Sequence, residues 1–146
     1  MRRDLLQLLA AKLRTVPADK FEITAWFVNW HPNDEADPCG FAGCAVGWAC
    51  TMPEMQAAGL HRVGGTPVYN PRGFYPGDAE VFRDCPKGFN AAAGVFGLTL
   101  KESYRLFDPK TYAVEDEDGN RVYPDVTPAM VADRIDELLA APVAAG

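Results

Sequence analysis

Long apolar runs are missing from this sequence of 146 residues. No stretch approaches the ~20 apolar residues that a helix needs to span a bilayer. Arg2 and Arg3 stand near the N-terminus, but Gln7 and Lys12 interrupt the apolar residues that follow, and no signal-peptide cleavage pattern appears. We therefore expect no membrane segment and a cytoplasmic protein.

The sequence also has no excess of basic residues. It carries 14 Lys and Arg against 20 Asp and Glu, which gives a formal net charge of -6. Because a protein neutralises phosphates with a basic surface, this balance argues against a general nucleic-acid binder. The acidic surface favours solubility, and attraction of a basic partner is the alternative.

Cysteine and histidine are scarce, with 4 Cys and 2 His. A chain of this length can bury a real core, so we expect reduced thiols rather than a disulfide framework. A zinc site would draw on Cys39, Cys44, Cys85 and His31, yet Cys39 and Cys44 would point ~140° apart in one continuous helix. Buried thiols without a cofactor are therefore our prediction, and zinc at these four residues is the alternative.

A nucleophilic cysteine is a further alternative. Cys39 follows the polar segment 31–38 and stands where a helix is predicted to begin, and a helix N-terminus stabilises a thiolate. His31 or His61 would then be the base. No local signature of a cysteine hydrolase surrounds Cys39, so we do not expect an enzyme. A cysteine- or zinc-dependent hydrolase centred on Cys39 and His31 remains the second hypothesis.

The most distinctive segment is CGFAGCAVGWAC, residues 39–50. No charged side chain occurs from Gly40 to Met52, and small residues alternate with Phe41, Val46 and Trp48. A helix that is apolar on every side must be buried. The pattern therefore predicts a buried central helix over about residues 40–52.

Other segments show amphipathic or capped patterns around this one. We predict further helices from apolar residues at helical spacing, from capping boxes and from terminal glycines or prolines. These helices cover residues 4–16, 53–58, 90–97, 99–107 and the segment from 127 onward. In the helix over 99–107, the predicted buried stripe consists of Leu100, Tyr104, Leu106 and Phe107. Residues 60–77 predict a β-hairpin or an ordered loop, and Asp118-Gly119 predicts the turn of a second hairpin. We therefore expect one compact, mostly helical α+β domain over 1–146, with about five helices around the central one, one or two small hairpins, and a frayed tail at 142–146.

Aromatic and arginine residues occur together in the Gly- and Pro-rich segment. Tyr69, Phe74 and Tyr75 accompany Arg72, a mixture that is common at interaction surfaces. We favour the interpretation in which the segment folds back and its rings complete the core. If the rings are exposed instead, these four residues are the best candidates for contact with a protein or small-molecule partner.

Several of these motifs together resemble a family of small uncharacterised phage and bacterial proteins. The resemblance spans roughly residues 21–140. The motifs are Phe21-Glu22-Ile23, then Cys39-Gly40-x-x-x-Cys44-x-x-Gly47-Trp48-Ala49, then Phe96-Gly97-Leu98 leading to Leu106-Phe107, and the Thr127-Pro128 helix. Phe41 departs from the family pattern C-G-T-x-x-C-x-x-G-x-A, which has a small hydroxylated residue there. The resemblance implies a fold and a genomic setting but no mechanism. Because no catalytic constellation survives the spacing arguments above, we expect an accessory protein of phage or mobile-element type that binds a macromolecular partner or a small ligand.

Overall fold

The computed structural model describes residues 1–23, 43–122 and 125–141, so the predicted fraying of 142–146 lies outside the described residues. Seven α-helices and two β-hairpins occur within these ranges, which confirms the predicted mostly helical α+β class. The helices are α1 (Arg3–Leu13), α2 (Ala45–Ala49), α3 (Pro53–Ala57), α4 (Ala79–Asp84), α5 (Phe89–Phe96), α6 (Leu100–Phe107) and α7 (Pro128–Ala140). The strands are β1 (Leu60–Val63), β2 (Thr66–Tyr69), β3 (Val114–Glu115) and β4 (Arg121–Val122).

Helices α1 and α7 form the most extensive contact between elements, and they come from opposite ends of the chain. Leu6, Leu9 and Leu13 recur at helical spacing on α1 and are fully buried. Ile135 of α7 is also fully buried and belongs to the same apolar cluster. No helix in the described ranges is long and apolar enough to cross a membrane.

Helices α5 and α6 are joined by a tight turn that the sequence predicts. Gly97 ends α5 with a φ of 66°, a left-handed conformation that glycine adopts without strain. Thr99 and Glu102 then form the predicted capping box: the Thr99 hydroxyl accepts the Glu102 N–H at 3.1 Å, and the Thr99 N–H donates to the Glu102 carboxylate at 2.9 Å. The turn brings Phe96 and Phe107 together in the core, with ring centroids 6.0 Å apart.

The predicted buried stripe of α6 is only half correct. Leu106 and Phe107 are buried, whereas Leu100 and Tyr104 are 40% and 38% exposed. Ser103 lies on the inner face instead, where its hydroxyl donates to the Phe89 carbonyl at 2.8 Å. The inner face of α6 therefore includes a serine whose buried hydroxyl is satisfied by a hydrogen bond, rather than being purely apolar.

The predicted central helix over 40–52 is much shorter than expected. Helix α2 covers five residues, all of them buried, and Cys44 before it is extended with ψ of -179°. Gly43 forms a β-bridge with Phe21: its N–H donates to the Lys20 carbonyl at 3.2 Å, and its carbonyl accepts the Glu22 N–H at 3.0 Å. Because these backbone groups are used in the bridge, the chain becomes helical only at Ala45. Residues 43–50 and Met52 are buried as predicted, whereas Thr51 is exposed and the helix is shorter than predicted.

Both hairpins are antiparallel two-stranded sheets. In the first, Val63 pairs with Thr66, which leaves Gly64 and Gly65 as a two-residue turn and confirms the hairpin interpretation of this segment. In the second, Val114 pairs with Val122, and Gly119 adopts a φ of 80° in the predicted turn.

Candidate functional site

The candidate site is the loop that follows the first hairpin, residues 70–75, which we call the aromatic loop. A backbone hydrogen bond at the base of the hairpin holds Asn70, the first residue of this loop. The Asn70 N–H donates to the Gly59 carbonyl at 2.8 Å, and Gly59 has a φ of 110°. A Cβ at position 59 would stand 2.1 Å from the Asn70 carbonyl oxygen, so glycine is required there by both conformation and space.

Asn70 holds the loop together from inside. Its side chain is buried, its Nδ2 donates to the Phe74 carbonyl at 2.9 Å, and its Oδ1 accepts the Arg72 N–H at 3.1 Å. The Asn70 carbonyl also accepts the Gly73 N–H at 2.9 Å. One buried side chain therefore satisfies the backbone of the loop from within, which fixes the loop in a defined conformation.

Phe74 and Tyr75 project from this loop into solvent. Their side chains are 55% and 56% exposed, so the favoured expectation that these rings complete the core is wrong for both of them. The hydrogen bonds to Asn70 turn the backbone at Gly73, which has a φ of 89°, and the chain re-enters the protein only at the buried Pro76. Phe74 and Tyr75 lie in the outward-facing part of the loop between Gly73 and Pro76.

Tyr69 behaves differently from the other two aromatic residues. It is half-buried and packs against the apolar cluster. Its ring lies on α5 at Gly94, where an added Cβ would come within 2.4 Å of Tyr69 Cδ2. Tyr69 therefore completes the core as favoured, and it is a support of the aromatic loop rather than part of its exposed surface.

The arginines near the loop differ in their contacts. Arg72 is exposed and forms no ion pair with any residue in the described ranges. Arg83 pairs with Asp84 at 3.6 Å, and Arg62 is half-buried on β1. Arg72 thus joins Phe74 and Tyr75 on the outer surface of one ordered loop.

His61 supports the loop from strand β1. Its ring meets the Tyr75 ring edge to face, with centroids 5.6 Å apart and planes at 76°. Burial lowers the pKa of His61, and a hydrogen bond with the Phe74 backbone partly opposes this shift. Its Nε2 is buried without a hydrogen-bond partner among the described residues. The site therefore favours the neutral imidazole, since protonation would add an N–H that has no acceptor there.

The cysteine hypotheses find no support in the described ranges. Cys39 and His31 lie outside the described residues, and α2 begins at Ala45 rather than near Cys39 as predicted. Cys44, Cys50 and Cys85 are free and buried. Burial raises the pKa of Cys44 to about 11 and also raises the pKa of Cys50, so both thiols are inert near neutral pH. No group of three or more His, Cys, Asp or Glu that could hold a metal ion occurs within the described ranges.

A shallow groove lies beside α4. It has a volume of about 490 Å³ and is open to solvent. Asp84, Cys85, Pro86, Lys87 and Asn90 line it. Lys87 Nζ is already used by hydrogen bonds to the Arg83 and Cys85 carbonyls at 3.1 and 3.0 Å. These groups form no arrangement of nucleophile and base.

Sequence reasoning missed the roles of Asn70 and His61. An Asn followed by Pro-Arg-Gly is a turn signal, because an asparagine side chain bonds the backbone two residues ahead. That signal was present for Asn70. The contact between His61 and Tyr75 depends on the path of the loop and has no local signal.

No family model, no curated protein and no solved structure matches this chain.

Proposed function

We propose that this chain is an accessory protein of phage or mobile-element type that binds a macromolecular partner through the aromatic loop. The observation that supports binding is the exposure of Phe74 and Tyr75 on a loop whose backbone is held by Asn70. Aromatic side chains supply much of the energy at protein interfaces, and burying two such rings is favourable for association. A loop that is already ordered loses little conformational entropy on binding. The genomic setting comes from the resemblance of the sequence motifs alone.

The test is site-specific photo-crosslinking in the cells that encode the protein. Phe74 is replaced by the photoreactive residue benzoylphenylalanine, and the same replacement at Val114 is the control. The two side chains are matched in exposure, at 55% and 54%, but Phe74 lies in the aromatic loop and Val114 lies on β3. We expect one discrete adduct from position 74 that does not form from position 114.

A second pair of variants tests whether the rings contribute to binding. Phe74→Ser with Tyr75→Ser should abolish capture of the crosslinked partner by the purified protein, whereas Val114→Ser with Val122→Ser should not. Circular dichroism and the thermal midpoint of each variant establish that it is folded. Identical adducts from positions 74 and 114, or unchanged capture by the loop variant, would rule out the aromatic loop as the binding surface.

A further inference from the structure

The aromatic loop and its hairpin differ in charge from the rest of the chain. Between Glu54 and Asp78 the sequence contains Arg62 and Arg72 but no carboxylate, so all 20 acidic side chains lie outside this segment. The whole chain has a formal net charge of -6. The segment that exposes the two rings is therefore also a positively charged segment of an acidic protein.

The Arg72 guanidinium lacks a counter-ion among the described residues. Arg2, Arg14 and Arg83 each lie within 3.6 Å of an aspartate, so their charges are paired within the chain. Arg72 is exposed instead, and its backbone N–H is fixed by Asn70. A guanidinium presents paired N–H donors that match the two oxygens of a carboxylate.

We propose that the partner is a protein that presents a short acidic segment with an apolar side chain beside its carboxylates. The carboxylate pairs with Arg72, and the apolar side chain packs on Phe74 and Tyr75. This inference rests on the function proposed above and adds the chemistry of the partner. A nucleic acid matches less well, because its phosphates continue along the strand and meet the acidic remainder of the surface, whereas a peptide can end within the positive segment.

Selection from a displayed library of random peptides tests this chemistry even while the partner is unidentified. The immobilised full chain is the target. A counter-selection on the folded double variant Phe74→Ser, Tyr75→Ser removes the peptides that bind elsewhere on the protein. We expect the remaining peptides to be enriched in Asp or Glu next to a large apolar residue.

The most enriched peptide then serves as a fluorescent probe for charge. Arg72→Glu should weaken its binding about tenfold or more, as the loss and reversal of a charge-assisted contact predicts. Lys101→Glu is the matched control, because it makes the same change in net charge at an exposed position of α6. We expect Lys101→Glu to change the dissociation constant less than about twofold, and added salt to weaken the wild-type complex.

The outcomes separate this inference from the proposed function. The acidic-partner inference would be refuted if the loop-dependent peptides lacked acidic residues, or if Arg72→Glu and Lys101→Glu had equal effects. Either result would leave the aromatic loop as the proposed binding surface. If a 20-nucleotide oligothymidylate binds in a loop-dependent way and no peptide is enriched, the partner is a nucleic acid rather than an acidic protein. If neither probe binds the loop and position 74 gives no specific adduct, both proposals fail.

Discussion

Trp48 connects three segments that are distant in sequence. Its indole Nε1–H donates to the Lys20 carbonyl at 3.0 Å, and its ring is 9% exposed. The ammonium of Lys12, on α1, lies 5.6 Å from the centroid of the ring. The five-residue helix α2 is too short to be stable alone, so this side chain contributes much of what holds α2 in the core.

We expect Trp48→Ala to lower the free energy of unfolding by ~3–5 kcal/mol, because it truncates a large buried aromatic side chain. Trp48→Phe keeps most of the apolar volume but removes the bond to the Lys20 carbonyl, and should cost ~1–3 kcal/mol. Urea unfolding followed by circular dichroism measures both. A loss of less than about 1 kcal/mol for Trp48→Ala would show that α2 is not an essential part of the core.

The elements of the fold were predictable where the signal was local. The capping box of α6, the Thr127-Pro128 start of α7 and the glycine end of α5 each depend on residues within one or two turns, and each was predicted correctly. Helix α4 was not predicted, although Asp78 caps it by accepting the Glu80 N–H at 2.7 Å.

Elements that depend on distant partners could not be predicted from the sequence. The start of α2 is set by the bridge between Gly43 and Phe21, which are separated by 22 positions along the chain. The outward position of Phe74 and Tyr75 is set by the buried Asn70, while their apolar character alone favoured the core. For the candidate site, sequence reasoning therefore proposed Tyr69, Arg72, Phe74 and Tyr75 but could not show which of the three rings are exposed.

The aromatic loop is the element whose stability should depend most clearly on pH. The charged form of His61 is disfavoured in the fold by burial, and the ring lies against Tyr75 and the Phe74 backbone, with Val68 opposite it in the sheet. Because the folded pKa is lower than the usual 6.5, the unfolded chain takes up the proton first as the pH falls. The lowered pKa of His61 therefore leaves the free energy of unfolding unchanged above about pH 6.5 and decreases it below that value.

We expect the wild type to lose more stability than His61→Phe when the pH is lowered from 7.5 to about 5.5, a range that spans the ordinary histidine titration. The comparison uses urea midpoints of both proteins at each pH, so that carboxylates common to both cancel. The protection factors of the Arg72 and Gly73 amides, corrected for the intrinsic slowing of exchange at lower pH, should fall over the same range in the wild type, because both amides donate to Asn70. Parallel pH profiles of the two proteins would contradict this role of His61.

At the scale of the whole molecule, the two ends of the chain are joined by contacts of two kinds. On the surface, the Arg14 guanidinium pairs with Asp133 at 3.2 Å and with Asp136, and Arg3 donates to the Leu139 carbonyl. Beneath these contacts, the apolar faces of α1 and α7 belong to one buried cluster. Exposed ion pairs contribute little to stability, whereas buried apolar area contributes most of it.

Arg14→Ala and Ile135→Ala separate these two contributions to the closure of the fold. The Arg14 side chain is 42% exposed, so its removal should lower the free energy of unfolding by less than about 1 kcal/mol, and the difference should shrink further in about 0.5 M salt. Ile135 is fully buried, and its truncation should cost ~2–5 kcal/mol at either salt concentration. Urea unfolding at low and high salt measures both variants. If Arg14→Ala costs as much as Ile135→Ala, the surface charges rather than the apolar faces hold the two ends of the chain together.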